Sequence, residues 1–428
     1  MKLFRISTVP ISLNILLKGQ LKFLNRHFAV TAVSGAGKDL DDVAGREGVP
    51  VHPIEIERQI SPLKDLVSLY RLYRYFKKEK PEIVHSITPK AGFLSMVAAR
   101  LAGVPVRMHT FTGLIFPSKE GHLRTLLIWM DRLICKAATH VYPEGRGVRE
   151  DLISYGITGK PLKIIANGNV NGTDTTYFSP DQISPAERHQ LRENLGLSEN
   201  DFVYVFVGRL VTDKGVNELV TAFKNLAISV RAAKGGGVER SGLSCRAESG
   251  ISFAEAGSNS GTQTLKPSNP QIKLLLVGPK EDELDALHPQ TVLEMENNPN
   301  IISVGFQQDV RPYFAVSHAL ILPSYREGFP NAVLQAGAME LPAIVSDING
   351  CNEIITHGEN GLIVPAKDSA ALEQAMHRLL SDRLLYTSLK QNARPHIGNN
   401  YRQEEVWQAL LEEYRTNLAA TGRDLGSA

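Results

Sequence analysis

Short apolar runs alternate with longer amphipathic stretches from one end of this chain to the other, and that rhythm admits few folds. A short apolar strand followed by a longer stretch of helical period predicts parallel strands joined by crossover helices, with both faces of the sheet covered. In the first half the predicted strands are Leu3–Ser7, Phe28–Val33, Ile83–His85, Val106–Thr110, His140–Pro143 and Lys163–Ala166. In the second they are Phe202–Val207, Ile272–Val277, Ile301–Val304, Ala319–Leu322, Ala343–Ser346 and Gly361–Val364. Each half has strands enough for its own sheet, and 428 residues with 43% hydrophobic content can bury two cores. The expectation is an α/β protein of two doubly wound, Rossmann-like domains facing a cleft. Pro180, Pro185 and charged neighbours interrupt the rhythm, which places a domain over 1–180, a linker over 181–200, a second domain over 201–395 and a terminal helical segment over 396–428. Within the second domain, 232–270 is rich in Gly, Ser and Ala and has no hydrophobic period, as expected of a flexible insertion.

Ligands of open α/β sheets sit beyond the carboxyl ends of the strands. The strand Phe202–Val207 runs into Gly208-Arg209-Leu210, and Asp213-Lys214-Gly215 then opens a helix. Arg209 can fork to phosphate oxygens and Lys214 supplies a point charge. Further on, SYREGFPNAVLQAGAM (Ser324–Met339) joins the carboxylate of Glu327 to Gly328 and to Pro330 at the first helical position. The N–H groups near Asn331 and Ala332 are then unpaired, and such a helix start attracts a diphosphate. Val304-Gly305-Phe306 is another strand-end turn, where Phe306 reads as well as core. In the first half, Lys90 follows Ile83–His85 and reads equally as a binder of an acceptor phosphate or as a solvated loop residue, and His109 ends Val106–Thr110, where a satisfied structural histidine is the plainer reading. No GxGxxG follows the first strand, where Ser7, Thr8 and Ser12 offer hydroxyls instead, so a Rossmann dehydrogenase is disfavoured. Asp282-Glu283-Leu284-Asp285 reads as a solvated helix face, and no metal is expected.

Together REGFPNAVLQAGAM, GRL with DKG, HSITPKAGFLSMVAARLAGVPVRMHTFTG and SDINGCNEII resemble the family 4 glycosyltransferases, retaining enzymes of the GT-B fold, in the manner of bacterial capsular-polysaccharide and O-antigen transferases. The resemblance covers all but the 232–270 segment. It implies transfer of a sugar from a UDP- or GDP-sugar donor, with no obligatory cofactor, to a polyprenyl-diphosphate-linked glycan in surface polysaccharide biosynthesis. It also implies roles: Glu327 on the donor sugar's hydroxyls, Arg209 and Lys214 on the diphosphate, Gly328, Phe329, Asn331 and Ala332 in the same grip. Gly305 and Phe306 would hold the base, His109 would stand near sugar and diphosphate, and Lys90 would face the acceptor. The family's second Glu, which holds the ribose, is here Gln335, an amide without the charge that strengthens such contacts. That departure keeps open a non-catalytic sugar-nucleotide-binding subunit, and the shared architecture keeps open a sugar-nucleotide epimerase. In the family a terminal helix crosses back toward the first domain.

Net charge is +2, but residues 1–180 carry 25 Lys and Arg against 15 Asp and Glu, a net +10, and the remainder carries 22 against 30, a net −8. Lys18, Lys22 and Arg26 recur among leucines, and Arg71, Arg74, Lys77 and Lys78 accompany Tyr70, Tyr73 and Phe76. Both stretches read as basic amphipathic helices; either one alone reads more plainly as a helix packed on a sheet with a solvated basic face, and it is the summed charge asymmetry that points to an anionic membrane surface. No aromatic-interleaved basic platform accompanies them, which disfavours nucleic acid. Cys135, Cys245 and Cys351 form no CxxC, which argues against a disulfide framework or zinc site and fits a reducing cytoplasm. No run of about 18 apolar residues spans a membrane. The expected location is cytoplasmic, peripheral at the inner face of the membrane.

Overall fold

The computed structural model describes residues 1–59, 61–235, 271–281 and 285–422. Most of the 232–270 insertion, with Cys245, and residues Asp282, Glu283 and Leu284 of the acidic stretch lie outside these.

Two six-stranded, wholly parallel sheets divide the chain. The first contains β1 (Lys2–Ile6), β2 (Ala29–Ser34), β3 (Val51–Pro53), β4 (Ile83–Ser86), β5 (Val106–Phe111) and β6 (His140–Pro143), in the order β3-β2-β1-β4-β5-β6. The second contains β7 (Phe202–Val207), β8 (Ile272–Val277), β9 (Ile301–Ser303), β10 (Ala319–Leu322), β11 (Ala343–Ser346) and β12 (Gly361–Val364), in the order β12-β11-β10-β7-β8-β9. Central strands such as FVYVFV and IKLLLV are almost continuously apolar because both their faces are covered. Their register sets Val205 beside Leu275 and Val207 beside Val277.

The first sheet is flanked by α1 (Pro10–Leu16), α2 (Gln20–Leu24), α3 (Lys38–Glu47), α4 (Pro62–Glu79), α5 (Pro89–Ala102), α6 (Gly121–Ala137) and α7 (Arg146–Ser154). After α8 (Pro185–Asn194) the second is flanked by α9 (Val216–Gly235), α10 (Pro289–Asn297), α11 (Arg311–Ala315), α12 (Asn331–Ala338), α13 (Cys351–Ile354), α14 (Ser369–Ser381) and α15 (Arg383–Asn400). The last helix, α16 (Gln403–Ala419), packs on the first sheet: Leu410, Leu411, Tyr414 and Leu418 share a core with Leu13, Leu17, Leu21 and Leu24. A separate core on the opposite face of that sheet is built with Leu72, Phe76, Leu94 and Ile134 from α4, α5 and α6.

Three local expectations are corrected. Lys163–Ala166 is no strand; a lone bridge joins Val141 to Leu162, and the chain then turns through Ala166 and Asn169 at φ 51° and 63°. The sixth strand is instead β3, a three-residue edge strand ending in proline and too short to show a period. The basic stretch around Lys18 and Lys22 is broken at Gly19, whose φ of +82° and close approach to the Trp407 ring end one helix before the next begins. Leu13, Leu17, Leu21 and Leu24 are buried in the core that α16 completes, so these leucines face the protein interior. The segment 181–200, expected as a linker, holds α8. A Ser184–Glu187 capping box starts that helix, and Ile183 and Leu197 are buried in the second core.

Candidate active site

The order of the second sheet reverses between β7 and β10: the chain runs outward from β7 through β8 to β9, then returns to β7's other side. Such a switch point leaves a crevice at the carboxyl ends of the strands. Both predicted donor motifs start there. β7 leads into Gly208 and Arg209, then through a 3₁₀ turn, Thr212–Lys214, into Gly215 and α9. β10 leads through Pro323 and Ser324 to Glu327 and α12.

Close backbone approach locks the two motifs together. A Cβ on Gly215, at φ +69°, would fall 2.0 Å from the Pro323 carbonyl oxygen. The Tyr325 amide donates to the Asp213 carbonyl at 2.9 Å. Lys214 Nζ consequently donates to Glu327 Oε1 at 2.6 Å, and Ser324 Oγ donates to the same oxygen at 2.8 Å. Arg209 Nη1 donates to Glu281 Oε2 at 2.9 Å, and Arg209 Nη2 stands 4.0 Å from Asp213. Each cation is thus held at the crevice by a carboxylate.

Helix α12 begins one residue later than expected, with Pro330 at its N-cap and Asn331 first in the helix. Asn331, Ala332 and Gln335 are the half-buried positions of this otherwise buried helix, so one face turns to the crevice. Its first N–H groups have no partner within the helix. Gly305, at φ +68°, accepts the Gly278 amide at 2.9 Å, and Phe306 behind it is 59% exposed on the rim.

The first domain closes against this site at its own strand ends. A Cβ on Gly328 would lie 2.3 Å from the Thr112 carbonyl oxygen and 2.7 Å from Glu144 Oε2. Asn169 Nδ2 donates to Asn331 Oδ1 at 2.9 Å. The first amides of α7, those of Arg146 and Gly147, donate to the Glu353 carboxylate at 2.5 and 3.0 Å. An acidic side chain at a helix N-terminus is favourable, and here it comes from the opposite domain. Glu353 is thus a clasp between the halves.

Three predicted residues are not brought to the crevice. His109 lies beneath Gly92, where a Cβ would meet its ring at 2.4 Å; its Nδ1 bonds Ser86 Oγ at 2.8 Å. Burial pushes its pKa down to about 3, and Nε2 has no partner. Thr112 and Gly113, past the end of β5, take the place at the crevice expected for it. Lys90 is buried and pairs with Asp65 at 2.7 Å and with the Gln59 carbonyl. Phe329 is buried against Gly168 and the Tyr401 ring, so it anchors the donor loop from below. Ser7 and Thr8 are also enclosed: Ser7 Oγ donates to the Val9 carbonyl at 2.8 Å, and Thr8 Oγ1 bonds Thr88 Oγ1 at 2.8 Å.

Sequence reasoning missed Glu144, Glu281 and the clasp at Glu353. Glu144 follows β6 directly and is buried at the junction; burial first, then the charges of Glu327 and Glu353, push its pKa up to about 8. The one signal in the sequence was a carboxylate set straight after the apolar strand HVYP.

Comparison with known proteins agrees with this layout. Residues 23–168 match the glycosyl transferase 4-like domain, and residues 261–382 match glycosyl transferases group 1. The capsular polysaccharide biosynthesis glycosyltransferase CapM of Staphylococcus aureus is 27% identical over 419 residues, 97% of this chain and 97% of its own length. The UDP-Gal:alpha-D-GlcNAc-diphosphoundecaprenol alpha-1,3-galactosyltransferase of Escherichia coli is 29% identical over 346 residues, 80% of this chain and 78% of its own. In fold the chain is similar to Anabaena Alr3699/HepE, solved with UDP and glucose, at a TM-score of 0.74 and 17% identity over 97% of this chain and 100% of that one.

Proposed function

The chain belongs to the family 4-like glycosyltransferases of the GT-B fold, and from that premise we propose that it transfers a sugar, with retention, from a UDP- or GDP-sugar to a polyprenyl-diphosphate-linked glycan in surface-polysaccharide assembly. The observation that carries this reading is the Lys214–Glu327 pair at the β7/β10 switch point, 2.6 Å apart, with Arg209 on one side and the start of α12 on the other.

A nucleoside diphosphate sugar entering the crevice exchanges the carboxylate partners of Arg209 and Lys214 for its phosphate oxygens. Glu327, released from Lys214, accepts hydrogen bonds from the sugar's hydroxyls. The acceptor hydroxyl attacks the anomeric carbon on the face from which the diphosphate leaves. A new C–O bond to the acceptor forms as the C–O bond to phosphate breaks, and a leaving phosphate oxygen takes the acceptor's proton. The positive groups stabilise the charge that develops on the leaving group. No protein nucleophile is required, and Gln335 meets the ribose as an amide. The acceptor chemistry is supported by what the Escherichia coli relative acts on, as its name states.

The test is product mass spectrometry after incubation with a panel of UDP- and GDP-sugars, with and without short polyprenyl-diphosphate glycans. The expected result is an acceptor-dependent gain of one sugar that falls by about 10²–10³-fold in Lys214→Ala. Donor isomerisation without acceptor, or transfer undiminished in both Lys214→Ala and Arg209→Ala, overturns the reading. The anomeric proton coupling of the product reports whether configuration is retained.

A further inference from the structure

Residues 181–428 are acidic as a whole, with a net −8, yet one groove on the second domain is lined by cations. Arg383, Lys390, Arg394 and Arg402 border a groove of about 950 Å³ in which Glu340 is the one acidic side chain. That volume lies at the upper end of the range of ligand-binding clefts, about 300–1,000 Å³.

The groove follows one face of α15. Arg383, Thr387, Lys390, Arg394 and Gly398 recur at the three- and four-residue steps of a single helical stripe, and the rise from Arg383 to Arg394 is about 16 Å. The stripe stays open at its far end, where a Cβ on Gly398 would meet nothing within 4 Å. Tyr386, Thr387, Gln391 and Asn399 place hydroxyls and amides among the cations. Pro395 lies inside the helix and has no N–H to give the Gln391 carbonyl, which is left without its helical donor.

Neighbouring acids do not neutralise these cations. Arg383 and Lys390 are exposed and form no salt bridge among the described residues, and Arg402 stands 3.9 Å from an equally exposed Glu404. Arg394 is fixed by the carbonyl oxygens of Thr175, Phe178 and Ala338, none of them charged, so a full positive charge is held in the wall. The groove also lies apart from the donor motifs. Glu340 follows the last turn of α12, whose first turn is at the crevice, so about 12 Å of helix separates the two. Thr175 and Arg402 stand where the chain crosses from one domain to the other and back, beside the Thr173 amide that donates to the Tyr401 carbonyl at 2.8 Å.

We propose that this groove is a second binding site, separate from the donor crevice, for an acidic oligosaccharide. Its cations are spread over about three turns of helix and do not converge on one point. A lone phosphate therefore meets one or two of them, whereas a chain with anionic groups at intervals meets them all. The hydroxyls and amides between the cations suit the hydroxyls of a sugar chain. Tyr386 is the one ring in the wall, packed 5.6 Å from Phe202, and a single ring does not supply the succession of stacked bases by which single-stranded nucleic acids are held. The wall also holds no aliphatic anchor of the kind that seats a peptide. Binding here draws on none of the residues proposed for transfer, so it stands or falls apart from that reading.

Isothermal titration calorimetry of the full chain with tetragalacturonic acid tests the site, with neutral maltotetraose as the control. The expected result is saturable binding of the acid, weakened by salt, and no binding of the neutral chain. Arg383→Glu with Lys390→Glu should lower the affinity by about tenfold or more, while the circular dichroism spectrum stays that of the wild type. Arg209→Ala should bind tetragalacturonic acid as the wild type does, and so should the wild type in excess UDP. The proposal is overturned if the wild type does not bind the acid, if maltotetraose binds equally, or if the double variant binds undiminished. Loss of binding in Arg209→Ala or under UDP also overturns it, by placing the anion in the donor crevice. Tighter binding of hexaglutamate, or of a short single-stranded DNA, that the double variant weakens would overturn the sugar ligand and make the groove a site for that polymer. Failure of the transfer experiment with this binding intact would sink the transferase reading and leave the groove standing.

Discussion

Glu144 enters the domain junction from the end of β6, and its burial, reinforced by Glu327 and Glu353, pushes its pKa from 4.5 up to about 8. The folded protein therefore keeps a proton there that the unfolded chain releases above its ordinary value. Between these two values the native state binds more protons than the unfolded state, so unfolding free energy falls as pH rises through that window and levels above it. Glu144→Gln carries no titrating carboxyl and should lose most of this dependence. Urea melts from about pH 5 to about pH 9 check it; a wild-type slope in the variant would show that other groups set the profile. What the sequence reveals at this scale is uneven. Arg209, Lys214 and Glu327 could be located because their spacing is tied to glycine turns at strand ends. His109 and Lys90 misled because both follow strands as site residues do, while burial beneath Gly92 and pairing with Asp65 arise only when distant segments pack.

Elements are held to one another here by backbone approaches that tolerate no Cβ. Gly215 combines a left-handed φ of +69° with a Pro323 carbonyl 2.0 Å from any added Cβ, so alanine meets conformational and steric penalties together. Gly215→Ala should cost about 2–3 kcal/mol of stability. It should also part the β7 and β10 loops, moving Lys214 away from Glu327 and weakening donor binding. Denaturant melts and calorimetric titration with UDP-sugars measure the two effects; a stability change under about 0.5 kcal/mol would show that the loops slide apart freely. Central strands were legible because their apolar runs are long and continuous. β3 was not, because three residues ending in proline carry no period. The broken helix at Gly19 was read as one basic amphipath because apolar spacing continues across the break, and only the Trp407 ring shows why the chain must turn there. On α4 the sequence located the cations, but apolar residues on both faces of a helix do not by themselves say which face the fold leaves uncovered.

At the scale of the whole molecule, the last helix joins the two halves by packing on the first sheet. α16 leaves the second domain at Tyr401 and Arg402, where Thr173 pairs with the strand-like turn, and lies on the first sheet. At its centre Tyr414 is fully buried, and its hydroxyl accepts a hydrogen bond from Arg5 Nη1 at 2.7 Å and bonds His85 Nδ1 at 2.7 Å. Arg5 is itself buried, and its Nε has no partner. Removing the hydroxyl leaves a guanidinium enclosed between sheet and helix without its side-chain acceptor, and a buried group left unsatisfied costs about 1–3 kcal/mol, more when charged. Tyr414→Phe should therefore lower unfolding free energy by about 3 kcal/mol, although it changes no apolar contact. Because α16 completes the first domain's core from the far end of the chain, the loss should move the midpoint of one cooperative transition, without releasing a first domain that melts alone. Differential scanning calorimetry distinguishes these outcomes. A single peak shifted to lower temperature is expected. Two separated peaks would mean that the halves fold independently and that α16 is a strap laid over a first domain already complete without it.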